Sequence, residues 1–155
     1  MTDYRMSHRP DADTDDEKAV RFHELDKAMP DFYERAKDYV WDLGEPEHMS
    51  LQFRGHHQAI RQAQAARGNP NARVFIYRAV PKGIRDINTG DWVTTSHQYA
   101  YQHGMHPEDP SKDMDVIAKS VKAQDVSFGG NDAFEFGYVG EPKKGTPVRI
   151  PKRKR

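Results

Sequence analysis

Apolar residues in the first third of the chain recur at three- and four-residue intervals: Ala19, Phe22, Leu25, Met29, Phe32, Tyr33, Ala36, Tyr39, Val40 and Leu43. This is the spacing of one helical face. Pro30 followed by Asp31 divides it into two helices, because the residue before a proline is biased away from the helical region. SLQFRGHHQAIRQAQAAR, residues 50–67, predicts a third helix with Leu51, Ile60 and the alanines inward, stopped by RGNPN.

The pattern then changes period. RVFIYRAV, residues 73–80, is dense in β-branched and aromatic residues and predicts a strand. PKGIRDINTG supplies a bend, with Pro81, Gly83 and Gly90 shaping the connection to DWVTTS. HQYAYQHG, residues 97–104, reads as a short helix with Ala100 and Tyr101 inward, and HPEDPSKD as a loop. MDVIAKSVKA, residues 114–123, and AFEFGYV, residues 133–139, resume strand character, and Val148 and Ile150 suggest a last edge strand. Helices first and short strands afterwards predict an α+β fold, and no internal repeat is visible.

Composition sets the boundaries. At 155 residues, 35% of them hydrophobic, the chain supports a single domain with a modest core. Residues 1–16, with RPDADTDD, read as a flexible arm, residues 17–150 as the domain, and PKRKR, residues 151–155, as a basic tail. Net charge is zero, yet residues 1–50 carry 14 acidic against 7 basic residues, the reverse of the remainder. Such polarity either steers a phosphate-bearing ligand or lets the two segments associate. There is no cysteine, which excludes disulfides and thiolate chemistry. No signal sequence and no apolar run of about 20 residues is present, so a cytoplasmic protein without membrane association is expected.

Three polar positions interrupt the strands. In RVFIYRAV, Val74, Ile76, Arg78 and Val80 share a face. Arg78 is either a snorkelling arginine or a partner for a carboxylate at the sheet edge, or else a guanidinium fork aimed at a phosphate or ribose. In DWVTTS, Trp92, Thr94 and Ser96 share one face and Val93 and Thr95 the other, setting hydroxyls beside an indole. In AFEFGYV, Phe134, Phe136 and Tyr138 form one face, with Glu135, Gly137 and Val139 on the other. Glu135 is either a solvated sheet residue or an acid held beside the space that Gly137 leaves.

In order, IYRAV with Arg78, DWVTTS with Thr94, Thr95 and Ser96, and FEFGY with Glu135 resemble the arginine, Ser-Thr-Ser and glutamate strands of the arginine–serine–glutamate class of ADP-ribosyltransferases. The resemblance covers roughly residues 73–140 and is nearest to small bacteriophage or bacterial transferase-like domains. It implies split antiparallel β-sheets preceded by helices, with NAD as co-substrate. It implies that Arg78 holds the phosphate and ribose region of NAD. Thr94 would support the site and help orient the glutamate, and Glu135 would stabilise an oxocarbenium-like ribose. Trp92, Thr95, Ser96, Tyr99 and His103 would join Arg78, Thr94 and Glu135 in binding NAD, with Trp92 the preferred aromatic contact.

Two positions depart from the family pattern. Thr94 stands where serine is usual and keeps the hydroxyl. Ala133 stands two before the glutamate, where glutamate or glutamine is usual, so Asn131 or Asp132 would have to contact an acceptor. The acceptor implied is an unidentified protein or nucleic acid. No metal is expected, since no familiar ligand spacing occurs. FGGND makes no dinucleotide fingerprint, so NAD would bind in the transferase manner. The alternative function is a non-catalytic transferase-like module in phage–host interaction. PKRKR with Lys143 and Lys144 additionally suggests salt-sensitive contact with nucleic acid.

Overall fold

The structure, a computed structural model, describes residues 19–36, 51–129 and 134–148, and for residues 51–56 the main chain alone. The arm over 1–16, Asn131, Asp132, Ala133, Ile150 and the tail over 151–155 lie outside the described residues. What remains is an α+β arrangement of helices and antiparallel sheets. None of its described helices is long and apolar enough to cross a membrane.

Helix α1, Leu51–Ala66, turns Ala59, Ile60, Ala63 and Ala66 inward as expected, whereas Ala65 is exposed and the Leu51 side chain lies outside the described residues. Strand β1, Arg73–Val80, follows, then β2, Asp86–Ile87, and β3, Trp92–Val93. Helix α2 occupies His97–Gly104, the predicted span, because Ser96 caps it by accepting a hydrogen bond from the Tyr99 amide at 3.2 Å. Strands β4, Asp115–Lys122, β5, Val126–Phe128, β6, Phe136–Tyr138, β7, Lys143–Lys144, and β8, Thr146–Pro147, complete the order.

The strands form sheets ordered β1-β4-β8 and β3-β6-β5, with β2 and β7 as a separate two-stranded clip. The two larger sheets meet where Tyr77 and Thr94 pair as an antiparallel bridge. Val74, Ile76 and Val80 of β1 join Val93, Phe136, Ile117 and Val121 in the main core, with Phe22 and Leu25 closing one end. On the other face of β1, Tyr77 packs with Ala100 of α2 and Val116 of β4 in a second cluster. Gly104 lets α2 approach the sheet: a Cβ there would lie 2.9 Å from Met114 Cβ and 3.1 Å from Ala79 Cβ.

Several expectations need correction. The first helix expected before Pro30 is a 3-10 helix over Phe22–Lys27, kinked at Glu24. Arg21, just before it, is drawn into a bridge with Ser127, which sets the chain in extended geometry at the point where an α-helix would need to continue. Residues 32–36 are helical, in keeping with the predicted restart after Pro30. The loop HPEDPSKD contains a 3-10 turn at Pro110–Lys112, capped by Asp109. The connection PKGIRDINTG is more than a bend, since Asp86–Ile87 pairs with Lys143–Lys144. The edge strand is centred on Thr146–Pro147, with the Val148 amide bonded to the Val116 carbonyl at 2.8 Å. Within the described part of AFEFGYV, residues 134–139, the strand is Phe136–Tyr138, and Phe134 sits in a turn away from the core face that Phe136 and Tyr138 share.

Candidate functional site

The β3–β6 register pairs Trp92 with Gly137 and Val93 with Phe136. Continued by one residue, it sets Thr94 opposite Glu135, at the point where β3 ends and β6 begins. The row extends on both sides. Tyr77 exchanges main-chain hydrogen bonds with Thr94 at 2.7 and 2.9 Å, and the Gly129 amide donates to the Glu135 carbonyl at 3.0 Å. Residues directly opposite in antiparallel strands share a face, so Tyr77, Thr94 and Glu135 look toward α2.

Helix α2 brings a set of rings to that face. Trp92 stacks on His103 at 4.6 Å between ring centres and 23° between planes, and Tyr99 stacks on His103 at 5.1 Å and 29°. Tyr99 and His103 meet because four residues make about one helical turn. Phe134 leans on Tyr99 at 6.0 Å. The Tyr99 hydroxyl donates to Glu135 Oε1 at 2.7 Å, a length typical of a charge-assisted bond. His97, at the start of α2, meets the Tyr77 ring edge-on at 5.8 Å. Burial raises the Tyr77 phenol above its ordinary pKa, against a smaller opposing effect from a hydrogen bond with Gln58.

Thr94, Thr95 and Ser96 are all buried. Thr94 Oγ1 accepts from the Ser96 amide at 3.1 Å, and Ser96 Oγ caps α2. These hydroxyls shape the turn from strand into helix, and so fix where Tyr99 and His103 stand.

Arg78 lies on the other face of β1. Strand alternation sends it with Ile76 and Val80 toward the main core, and its side chain is 1% exposed. Its Nη1 donates to the Trp92 carbonyl at 2.6 Å, and its Nε lies 3.6 Å from Asp91 Oδ2. The Asp91 carboxylate in turn accepts from the Asn88 amide at 2.8 Å, closing the Asn88–Asp91 turn that Gly90 makes at φ +91°. The carboxylate that Arg78 meets lies in the interior and not at an exposed sheet edge, so the guanidinium does not snorkel to the surface.

The structure therefore brings Trp92, Thr94, Ser96, Tyr99, His103 and Glu135 to one end of the β3–β6 sheet and sets Arg78 behind them. Two contributors were not anticipated. Asp91 belongs to the turn NTGD, and an acid immediately before a strand that faces an in-strand arginine is the signal that would have found it. Phe134 left its expected place in the core because the turn preceding β6 interrupts strand alternation.

Beside Phe134 opens a cavity of about 530 Å³ walled by Met29, Pro30, Phe32, Ala36 and Ile60, with Asp31 and Arg35 as its charged members. Among the described residues no group of three or more histidine, aspartate or glutamate side chains is placed to hold a metal ion. Lys143 and Lys144 form β7, where Lys144 is paired with Asp86. No protein-family model matches the chain, and neither a curated protein nor a solved structure shows significant similarity to it.

Proposed function

We propose that the chain is an NAD-dependent mono-ADP-ribosyltransferase, which cleaves the nicotinamide–ribose bond of NAD and transfers ADP-ribose to a macromolecular acceptor. The observation that carries this reading is the placement of Glu135 level with Thr94, its carboxylate bonded to Tyr99 of the Trp92, Tyr99 and His103 ring cluster. Two antiparallel sheets meeting at the Tyr77–Thr94 bridge support the split-sheet fold that the resemblance implies.

Nicotinamide leaves from a cationic linkage as a neutral base and needs no general acid. Catalysis then rests on positioning the ribose and on negative charge near its anomeric carbon. Glu135 supplies that charge and accepts a hydrogen bond from a ribose hydroxyl, and the exposed ring of His103, backed by the buried Trp92, suits ring stacking. Arg78 serves the site from behind, fixing the Trp92 main chain and through it the indole.

The test is to incubate the purified full chain with NAD labelled in the adenylate half, with and without cell extract. Nicotinamide release and label on a macromolecule are expected, with both reduced about a hundredfold or more by Glu135→Gln. A folded protein that gives neither would refute the reading.

A second reading, a non-catalytic transferase-like binding module, draws on the internal partners of the two charged residues. Arg78 is engaged with Trp92 and Asp91, and Glu135 with Tyr99. In that case NAD is not turned over, and a partner captured by the wild-type chain is held equally by the Glu135→Gln variant. Selective loss of the complex in that variant would count against it.

A further inference from the structure

We infer that Tyr99, in place of Thr94, is the residue that orients the Glu135 carboxylate. The inference rests on the reading of Glu135 as the acid at a sugar centre and assigns it a positioning partner that the family resemblance gives to the hydroxyl at position 94.

Among the described residues Thr94 makes no side-chain hydrogen bond to Glu135. Its main chain is fastened to Tyr77 on both sides, and its Oγ1 accepts from the Ser96 amide at 3.1 Å, with a β-branched side chain that restricts χ1. Among the described residues, the side-chain hydrogen bond that reaches the Glu135 carboxylate comes from Tyr99, at 2.7 Å.

Tyr99 is also held well enough to serve as a fixed post. Its amide is bonded to the Ser96 cap at 3.2 Å, and its ring contacts His103 at 5.1 Å, Trp92 at 5.9 Å and Phe134 at 6.0 Å. A phenol carries one proton. Given to Oε1, it fixes the carboxylate plane and directs Oε2 to receive a ligand hydroxyl. The Glu135 main chain is separately anchored by Gly129, so carboxylate and backbone are both located. Position 94 contributes indirectly, by setting the turn from which α2 springs.

The full-length Tyr99→Phe variant keeps the ring and removes only the hydroxyl. Its kcat for nicotinamide release is expected to fall about ten- to a hundredfold, with KM for NAD changed by less than about twofold. Adding Tyr99→Phe to Glu135→Gln should cause no further loss, because the phenol acts through the acid. Unchanged kcat or a fully additive double variant would each overturn the assignment. Near-UV circular dichroism of the aromatic stack verifies the fold of each variant.

Failure of the wild-type chain to release nicotinamide would refute the proposed reaction and leave the orientation testable by a second measurement. With tyrosine labelled at Cζ, the Tyr99 resonance is expected to shift in Glu135→Ala. A resonance indifferent to Glu135 would overturn the inference.

Discussion

Tyr77 and Thr94 exchange both of their main-chain hydrogen bonds, and among the described residues this pair joins the β1-β4-β8 sheet to the β3-β6-β5 sheet. The same threonine ends β3 and opens the turn into α2. A residue at such a junction transmits small errors to everything after it.

Thr94→Val tests that position. Valine keeps the shape and strand preference but leaves the buried Ser96 amide without its acceptor, and the cost of an unmet buried donor is about 1–3 kcal/mol. Urea unfolding should show a lowered midpoint with an unchanged slope.

Arg78 and Asp91 form a buried pair, 1% and 4% exposed, whose members depend on each other. Arg78→Met strands the Asp91 carboxylate in the interior, a change that typically costs about 3–5 kcal/mol. Replacing both, as Arg78→Met with Asp91→Asn, should recover part of that loss. A double-mutant cycle on unfolding free energies checks this.

Gly104→Ala places a methyl group against Met114 and Ala79, at distances of 2.9 and 3.1 Å, so α2 must move outward. The expected destabilisation is about 1–3 kcal/mol, the usual range for overpacking. Because α2 carries Tyr99 and His103, the fluorescence of Trp92 should shift as well, which separates this outcome from a purely local clash.

Alkaline pH reaches the core through Tyr138. Burial, reinforced by the nearby Asp125 and Glu141 carboxylates, pushes its phenol from 10.0 up to about 12. The folded state thus holds this proton more tightly than the unfolded chain does. The stability linked to it is complete below pH 10 and is lost as pH rises through about 12. Phenolate absorbance and far-UV circular dichroism, followed together over that interval, should show Tyr138 ionising with the loss of structure.

The elements easiest to read from the sequence were those whose local preferences and packing agree. RVFIYRAV is β-rich and lies in the sheet over its full length, and HQYAYQHG begins at a serine cap and ends where the chain turns. The region before Pro30 departs from the α-helical expectation because the three-residue spacing of Ala19, Phe22 and Leu25 also suits a 3-10 helix, and a tertiary pairing of Arg21 with Ser127 favours the tighter turn. Strand alternation assigned Arg78 to the face of Ile76 and Val80, but the existence of Asp91 on that side depends on how two sheets meet. The link from Tyr99 to Glu135 spans 36 positions and arises only when α2 folds back over β6. Proximity of that kind leaves no periodicity to detect.

The interior guanidinium also governs how the molecule comes together. The sheet containing β1 cannot seal around Arg78 until the Asn88–Asp91 turn delivers its carboxylate and Trp92 its carbonyl. That turn is itself secured to β6 by the Gly90 amide on the Tyr138 carbonyl, at 2.7 Å. Neither half can bury its charge by itself, so the two are expected to come together in one cooperative transition.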